Sequence, residues 1–232
     1  MTFHFQIKDL FNDRMALETF TAPIHAPTYF ALSYPHPDLY AHLTAGPFAS
    51  LDAFLSYTKK FDQLDPSNLL YAIIDKTRPP SPESPSGALA GVIAFQDASL
   101  SNLSIEIGPV IILPAFQRTH VASNAIGLLL QYALDPKESN GLGLRRVQWD
   151  CSTENKTSMR VAERMGLVKE GVLRWQHVYR DGIARGKIGH GRGAPMGCSE
   201  TDLGRDTVVY GLCWDSWEDG GRHMVQAIMD RR

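Results

Sequence analysis

Six consecutive residues, Gln117-Arg118-Thr119-His120-Val121-Ala122, carry the clearest chemistry in this sequence. They follow an apolar run over 104–112 and a turn at Pro114. They lead into Ala122, Ala125, Ile126, Leu129, Leu130 and Ala133, which recur at three- and four-residue steps. A strand that turns into a helix N-terminus collects free backbone N–H groups at one point, and the helix dipole favours negative charge there. The chemistry such a turn supports is phosphate or pyrophosphate binding, with Arg118 adding a charge-assisted donor. Many α/β proteins contain such turns, so the loop alone selects no cofactor.

The elements that must position this loop can be read on either side of it. Residues 15–20 form a first strand. Four prolines between 22 and 37 predict loop or broken helix, and 38–43 a short helix. Residues 50–64 form a better helix, capped by Ser50, with Leu51, Phe54, Leu55 and Phe61 as its apolar stripe. Two strands, 69–75 and 88–97, are joined by an exposed proline-rich loop over 76–87. After the central helix, 135–144 closes it, and 146–151 is a strand with Val147, Trp149 and Cys151 on one face. A helix over 156–165 is capped by Asn155 or Thr153 and ended by Gly166. Residues 168–179 are strand-like with an interruption at Gly171. The stretch 181–205, with seven glycines, is a long loop. A strand over 207–213 and a terminal helix from Trp217 complete the chain. With no internal repeat and no dividing linker, the expectation is one α/β domain over 1–232, with loop insertions at 76–87 and 181–204.

Composition excludes several function classes. At 232 residues, 44% hydrophobic and 21% charged, the chain can bury a sizeable core. A net charge of −2 without a run of like charges argues against a nucleic-acid binder. No apolar run approaches the roughly 20 residues that span a bilayer, and residues 1–14 have no apolar core of secretory-leader length. Cys151, Cys198 and Cys213 are widely spaced and odd in number, which predicts reduced thiols and a cytoplasmic protein. Gly189-His190-Gly191-Arg192-Gly193 imitates a nucleotide loop but lacks a preceding strand and a following helix. His190 and Cys198 have no metal-ligand spacing, so no metal is expected. Trp175, Trp214 and Trp217 read as core or rim packing.

Gln117-x-x-His120-x-Ala122 resembles the pyrophosphate loop of the GNAT superfamily of acyl-CoA N-acyltransferases, (Q/R)-x-x-G-x-(G/A), with His120 in the first glycine position. A β-carbon there would cost about 1 kcal/mol if the backbone needed a positive φ. Asn155-x-x-Ser158, Gly166-Leu167 and Glu170-Gly171 then resemble, in order and spacing, the segment that follows in the RimJ/RimL-like branch. Gly204-Arg205-Asp206-Thr207 resembles that branch's closing segment. The resemblance covers roughly 89–217.

The resemblance implies a mixed α+β fold whose central, largely antiparallel sheet splays in the middle and is flanked by helices. Acyl-CoA would lie in the opening. Val110, Ile111 and Ile112 would give backbone contacts to the pantetheine and thioester. Arg118, Thr119, His120, Val121, Ala122 and Ser123 would surround the pyrophosphate, and Asn155 would hold the cofactor arm. A backbone N–H near Val110 or Ile111 could polarise the thioester carbonyl. Such a donor is typically worth ~3 kcal/mol of barrier.

An amine of pKa near 10.4 pays about 4 kcal/mol to be neutral at pH 7, so a nearby base helps. Glu106 lies where some GNAT enzymes carry a catalytic glutamate, and Asp150 matches a base position in others. Both also read as ordinary strand or capping carboxylates. His177 has a suitable pKa, although a satisfied hydrogen-bonding histidine is the commoner outcome for such a residue. Ser158 resembles the serine proposed as acid to the leaving thiolate, and also an ordinary first-turn serine. Ala162 occupies the position of the tyrosine that other members use. The expected activity is acetyl transfer from acetyl-CoA to a primary amine of a small molecule or protein N-terminus, by direct attack in a ternary complex. The expected molecule is a monomer or homodimer without nucleic-acid or membrane partners. The alternative, motivated by His120 and Ala162, is a GNAT-shaped chain that binds CoA or another ligand without acetylating. A different nucleotide-binding α/β protein is a third reading.

Overall fold

Runs of β-branched and aromatic residues alternate with helical periodicities, and the chain builds one sheet with helices on both faces. The computed structural model describes residues 3–61, 64–80, 84–179, 186–187, 197 and 203–231. In order, the elements are β1 (Leu10–Phe11), β2 (Met15–Thr19), α1 (Ala22–Ser33), α2 (Leu51–Thr58), β3 (Leu69–Asp75), β4 (Ala88–Ser99) and β5 (Ser104–Ile112). They continue with α3 (Val121–Leu134), β6 (Arg146–Ser152), α4 (Lys156–Arg164), β7 (Val168–Tyr179), β8 (Leu203–Cys213), the single turn α5 (Trp214–Ser216) and α6 (Arg222–Met229). The sheet runs β1-β2-β3-β4-β5-β6-β8-β7. Every neighbour is antiparallel except β5 with β6, which α3 joins as a crossover.

Two apolar layers hold the helices. On one face Ile93, Phe95, Ile105, Ile107, Val147, Trp149, Val208 and Tyr210 pack under α3, α4 and α6. On the other face Ala72, Ile74, Val92, Ala94 and Ile111 pack under Tyr29 of α1 and Phe54 of α2. That second layer takes no residue from β6, β7 or β8. The polar side chains of those strands on the α1/α2 side therefore lie outside the layer that the two helices cover.

Several expectations change. The proline-bearing segment 22–37 is largely helix: α1 carries Pro at its first turn and Pro27 inside. Pro23 sits where an N–H would be unsatisfied anyway, whereas Pro27 forfeits one helical bond. Ala26 and Tyr29, both fully buried, supply the packing that outweighs that loss. The helix over 50–64 is shorter than expected. Ser50 does cap it, accepting from the Ala53 N–H at 3.2 Å, but α2 gives way to a 3-10 turn, Lys59–Phe61. The loop 76–87 is not wholly exposed: Ser84 is buried and, with Ser86, donates to Glu18. Residues 203–206 are strand rather than loop, because they continue the β7 pairing at His177↔Arg205 and Tyr179↔Leu203. Trp217 is fully buried and donates to Asp135 at 2.8 Å, while Trp175 and Trp214 stay half-exposed. Cys151 and Cys213 are free thiols. Gly189 to Gly193, His190 and Cys198 lie outside the described residues.

Candidate active site

The anion loop is held by its own side chains. Gln117 turns back to donate to the Ile112 carbonyl at 3.0 Å, and Thr119 donates to the Phe116 carbonyl at 2.6 Å. Thr119 also accepts from the Val121 N–H at 3.3 Å, which caps α3. By helix geometry the N–H groups of Val121, Ala122 and Ser123 have no intrahelical carbonyl. The loop's left-handed residue is Arg118, at φ 60°, with its side chain exposed. His120 instead has a right-handed helical φ of −65°, so the expected cost of a β-carbon there does not arise. Its imidazole Nε2 lies 3.3 Å from Asp75 Oδ1 at the end of β3, with Asp75 buried and His120 partly so. His120 thus sets the start of α3 against the end of β3, its Nε2 making no hydrogen bond among the described residues. Burial holds its pKa below the usual value despite Asp75, so the ring is neutral at pH 7.

The opening follows from the register. β5 pairs with β6 only from Ser104↔Arg146 to Glu106↔Gln148. Beyond that point β6 continues to Ser152 against β8, while β5 continues to Ile112 against β4. The backbone of Val110, Ile111 and Ile112 therefore has a strand on one side and the gap on the other. The Ile112 carbonyl is already taken by Gln117.

Glu106 stands where the two strands part. Its half-buried carboxyl is pushed up to about 8, by burial first, then by the charges of Asp150 and Asp97, against the opposing pull of Arg205 and Lys60. Lys60, on the turn after α2, donates to Gln96 at 3.0 Å, and Gln96 is the β4 register partner of Glu106. Asp150 is raised as well, chiefly by burial. His177 is half-buried on β7, opposite Arg205, and its pKa is lowered by burial and by that arginine. With β6 and β8 between them, β7 stands about 14 Å from β5 at the ordinary strand spacing. The structure therefore brings Glu106 and Asp150 together and leaves His177 to one side.

On the far wall, Asn155 caps α4 by accepting from the Ser158 N–H at 3.0 Å. That fixes the Asn155 carboxamide and leaves its Nδ2 without a partner among the described residues. Ser158 Oγ accepts from the buried Trp149 indole at 2.9 Å, so its hydroxyl hydrogen is directed elsewhere. Ala162 is fully buried in the α4 face.

A gap between splayed strands, an anion cradle at a helix N-terminus and a carboxyl at the fork thus lie along one strand, β5. The acetyltransferase (GNAT) domain model matches residues 14–168, starting well before the segment that the motifs mark. The chain belongs to the GNAT acetyltransferase family. It is similar to the uncharacterized N-acetyltransferase YoaA of Bacillus subtilis (strain 168), 36% identical over 94 residues. That alignment spans 40% of this chain and 49% of the relative, about half its length. Among solved structures, it resembles a GCN5-related N-acetyltransferase from Brucella melitensis at TM-score 0.74 and 27% identity. That match covers 96% of this chain and 85% of the other. A probable GNAT-family acetyltransferase from Chromobacterium violaceum ATCC 12472 gives 0.71 and 26%, over 90% and 88%.

Further polar residues lie near this site, some of them unmarked in the sequence. Arg164, in the last turn of α4, donates to Ser123 at 3.2 Å and so brings a second cation to the first turn of α3. Lys60 and Arg205 surround Glu106 electrostatically. Gln96 and Glu106 carried a readable signal, since both are polar interruptions in otherwise apolar strands. Lys60 and Arg164 had none, because their contacts exist only once distant elements meet.

Proposed function

We propose that this chain is an acetyl-CoA-dependent N-acetyltransferase acting on a primary amine. The observation that carries the reading is the parting of β5 and β6 immediately after Glu106, with the anion cradle at the end of β5 and the carboxyl at the fork. The donor set suits the cofactor. The N–H groups of Ala122 and Ser123, with Arg118 and Arg164, suit its phosphates, and the open backbone edge at Val110 and Ile111 suits its pantetheine amides. Acetyl-CoA supplies an acyl group activated as a thioester. The acceptor amine gives up its proton to Glu106, forms the C–N bond, and the C–S bond breaks to release CoA. Ser158, whose oxygen is held by Trp149, is the residue assigned to give the leaving sulfur a proton. A backbone N–H at Val110 or Ile111 polarises the carbonyl. We further infer a single GNAT-like unit over 1–232 in the RimJ/RimL-like branch, from the Asn155–Ser158 cap, Gly166 and Glu170-Gly171. The free thiols support a cytoplasmic setting.

The non-acetylating alternative loses one of its two motives, since His120 keeps a helical backbone. Calorimetry tests the reading directly. Acetyl-CoA should bind the wild-type chain, and Arg118→Glu should weaken it at least tenfold, the loss of one charge-assisted contact. Absence of binding by the wild-type chain at high protein concentration would remove the proposal.

A further inference from the structure

Arg205 is 7% exposed, yet it forms no hydrogen bond or ion pair among the described residues, and its Nε is a buried donor without a partner. Arginine is seldom so buried without a carboxylate or phosphate beside it. Two further orphans share its face of the sheet. The register Glu106↔Gln148, Asp150↔Val209, Ser152↔Thr207 and His177↔Arg205 places Glu106, Asp150, Thr207 and Arg205 on the side that α1 and α2 face. Asp150 Oδ1 and Thr207 Oγ1 are both buried without hydrogen bonds. The Arg205 cation is felt at Glu106, Asp150 and His177, so its charge lies within electrostatic range of the fork. Asp150 and Arg205 nevertheless do not close on each other within ion-pair distance. The strip thus offers an unpaired anion nearer the fork and an unpaired cation farther from it.

We propose that the acceptor is a zwitterionic amino acid, whose amine is held at Glu106 and Asp150 and whose carboxylate is held by the Arg205 guanidinium, with Thr207 beside it. This rests on the acetyl-transfer reading of the site. A planar fork of N–H donors matches a carboxylate in two-bond geometry and gives a lysine at the same place less. A diamine puts its second cation against Arg205 and leaves that guanidinium desolvated and unpaired. The site therefore selects against polyamines.

The test compares matched probes with the full chain and acetyl-CoA: L-lysine against cadaverine, and L-alanine against L-alaninamide. Transfer is read as CoA release, and acceptor binding is read by calorimetry with CoA present. The carboxylate-bearing member of each pair should bind and react roughly tenfold or more better, the worth of one charge-assisted contact. Arg205→Gln should erase that preference through KM while acetyl-CoA affinity is retained, and Arg205→Lys should restore part of it. Equal or better handling of cadaverine and L-alaninamide overturns the proposal, as does an unchanged preference in a folded Arg205→Gln. Carboxylate-selective, Arg205-dependent binding without CoA release sustains the proposal and overturns the acetyl-transfer reading instead.

Discussion

At the scale of single residues, Glu106 and Arg118 each make a separable prediction. Burial and the neighbouring carboxylates push the Glu106 carboxyl up to about 8, from the usual 4.5. Its protonated form is favoured by the fold, so its contribution to stability is complete below about pH 4.5 and is lost as pH rises toward 8. Glu106→Gln should therefore gain stability relative to wild type between pH 5 and 8, measured by denaturant titration at each pH. As general base, Glu106 becomes competent only as it ionises. The rate should climb to an inflection near 8 that stays when the acceptor amine's own pKa is changed. Glu106→Gln should lower kcat about a hundredfold and abolish that inflection. An inflection that follows the amine instead would show that the substrate, not Glu106, is titrating. Arg118 is a non-glycine residue at φ 60°, a strain of roughly 1 kcal/mol. Arg118→Gly relieves that strain but loosens the unfolded chain. Stability should stay level or rise by up to about 1 kcal/mol, while acetyl-CoA affinity falls. A marked destabilisation would mean that the exposed side chain packs in a way the structure does not show.

At the scale of elements, β4 and β5 must lie close for the backbone of Val110 to Ile112 to line the opening. Gly91 permits this: a β-carbon there would come 2.1 Å from the Ile111 carbonyl oxygen, an atom with no rotamer to move. Gly91→Ala should cost roughly 1–3 kcal/mol and weaken acetyl-CoA binding by shifting β5 into the opening. A thermal melt paired with calorimetry would show both, and unchanged affinity would mean that β5 relaxes away from the gap. The elements themselves were largely legible. The strand over 104–112, the helix after the loop, and α4 between Asn155 and Gly166 all carry periodicity or end signals that the backbone obeys, Gly166 with a φ of 88°. The α1 segment misled because its prolines speak of local cost, while Ala26 and Tyr29 act through tertiary burial. In the site, the anion loop and Glu106 could be placed from position. The direction of His120 toward Asp75 could not, because nothing local links a strand end at 75 to a loop at 120.

At the scale of the molecule, the sheet ends, among the described residues, in β7, an edge strand with largely exposed side chains. Val168 is 65% exposed, and Val172, Leu173, Trp175 and Val178 are 41–46% exposed. An edge of open backbone N–H and C=O groups flanked by apolar side chains is the surface on which chains add strands, and soluble proteins seldom leave it bare. Lys187 partly shields it, with its Nζ 4.2 Å from the Trp175 ring centre and in an ion pair with Asp206, yet Val172 and Leu173 stay open. A twofold axis beside β7 would cover the same residues on two copies at once and needs no second complementary surface. The chain should therefore sediment as a homodimer at micromolar concentration. Val172→Lys combined with Leu173→Lys should shift it to monomer, because two desolvated cations from each copy would face the same residues across the axis. A wild-type chain that remains monomeric across the accessible concentration range would exclude this pairing. β7 also carries His177 on the strip that leads to Glu106, so the monomeric variant bears on the site as well. Unchanged kcat/KM in that variant would show that each copy works alone, and a loss would show that pairing sets the position of β7 over the acceptor groove.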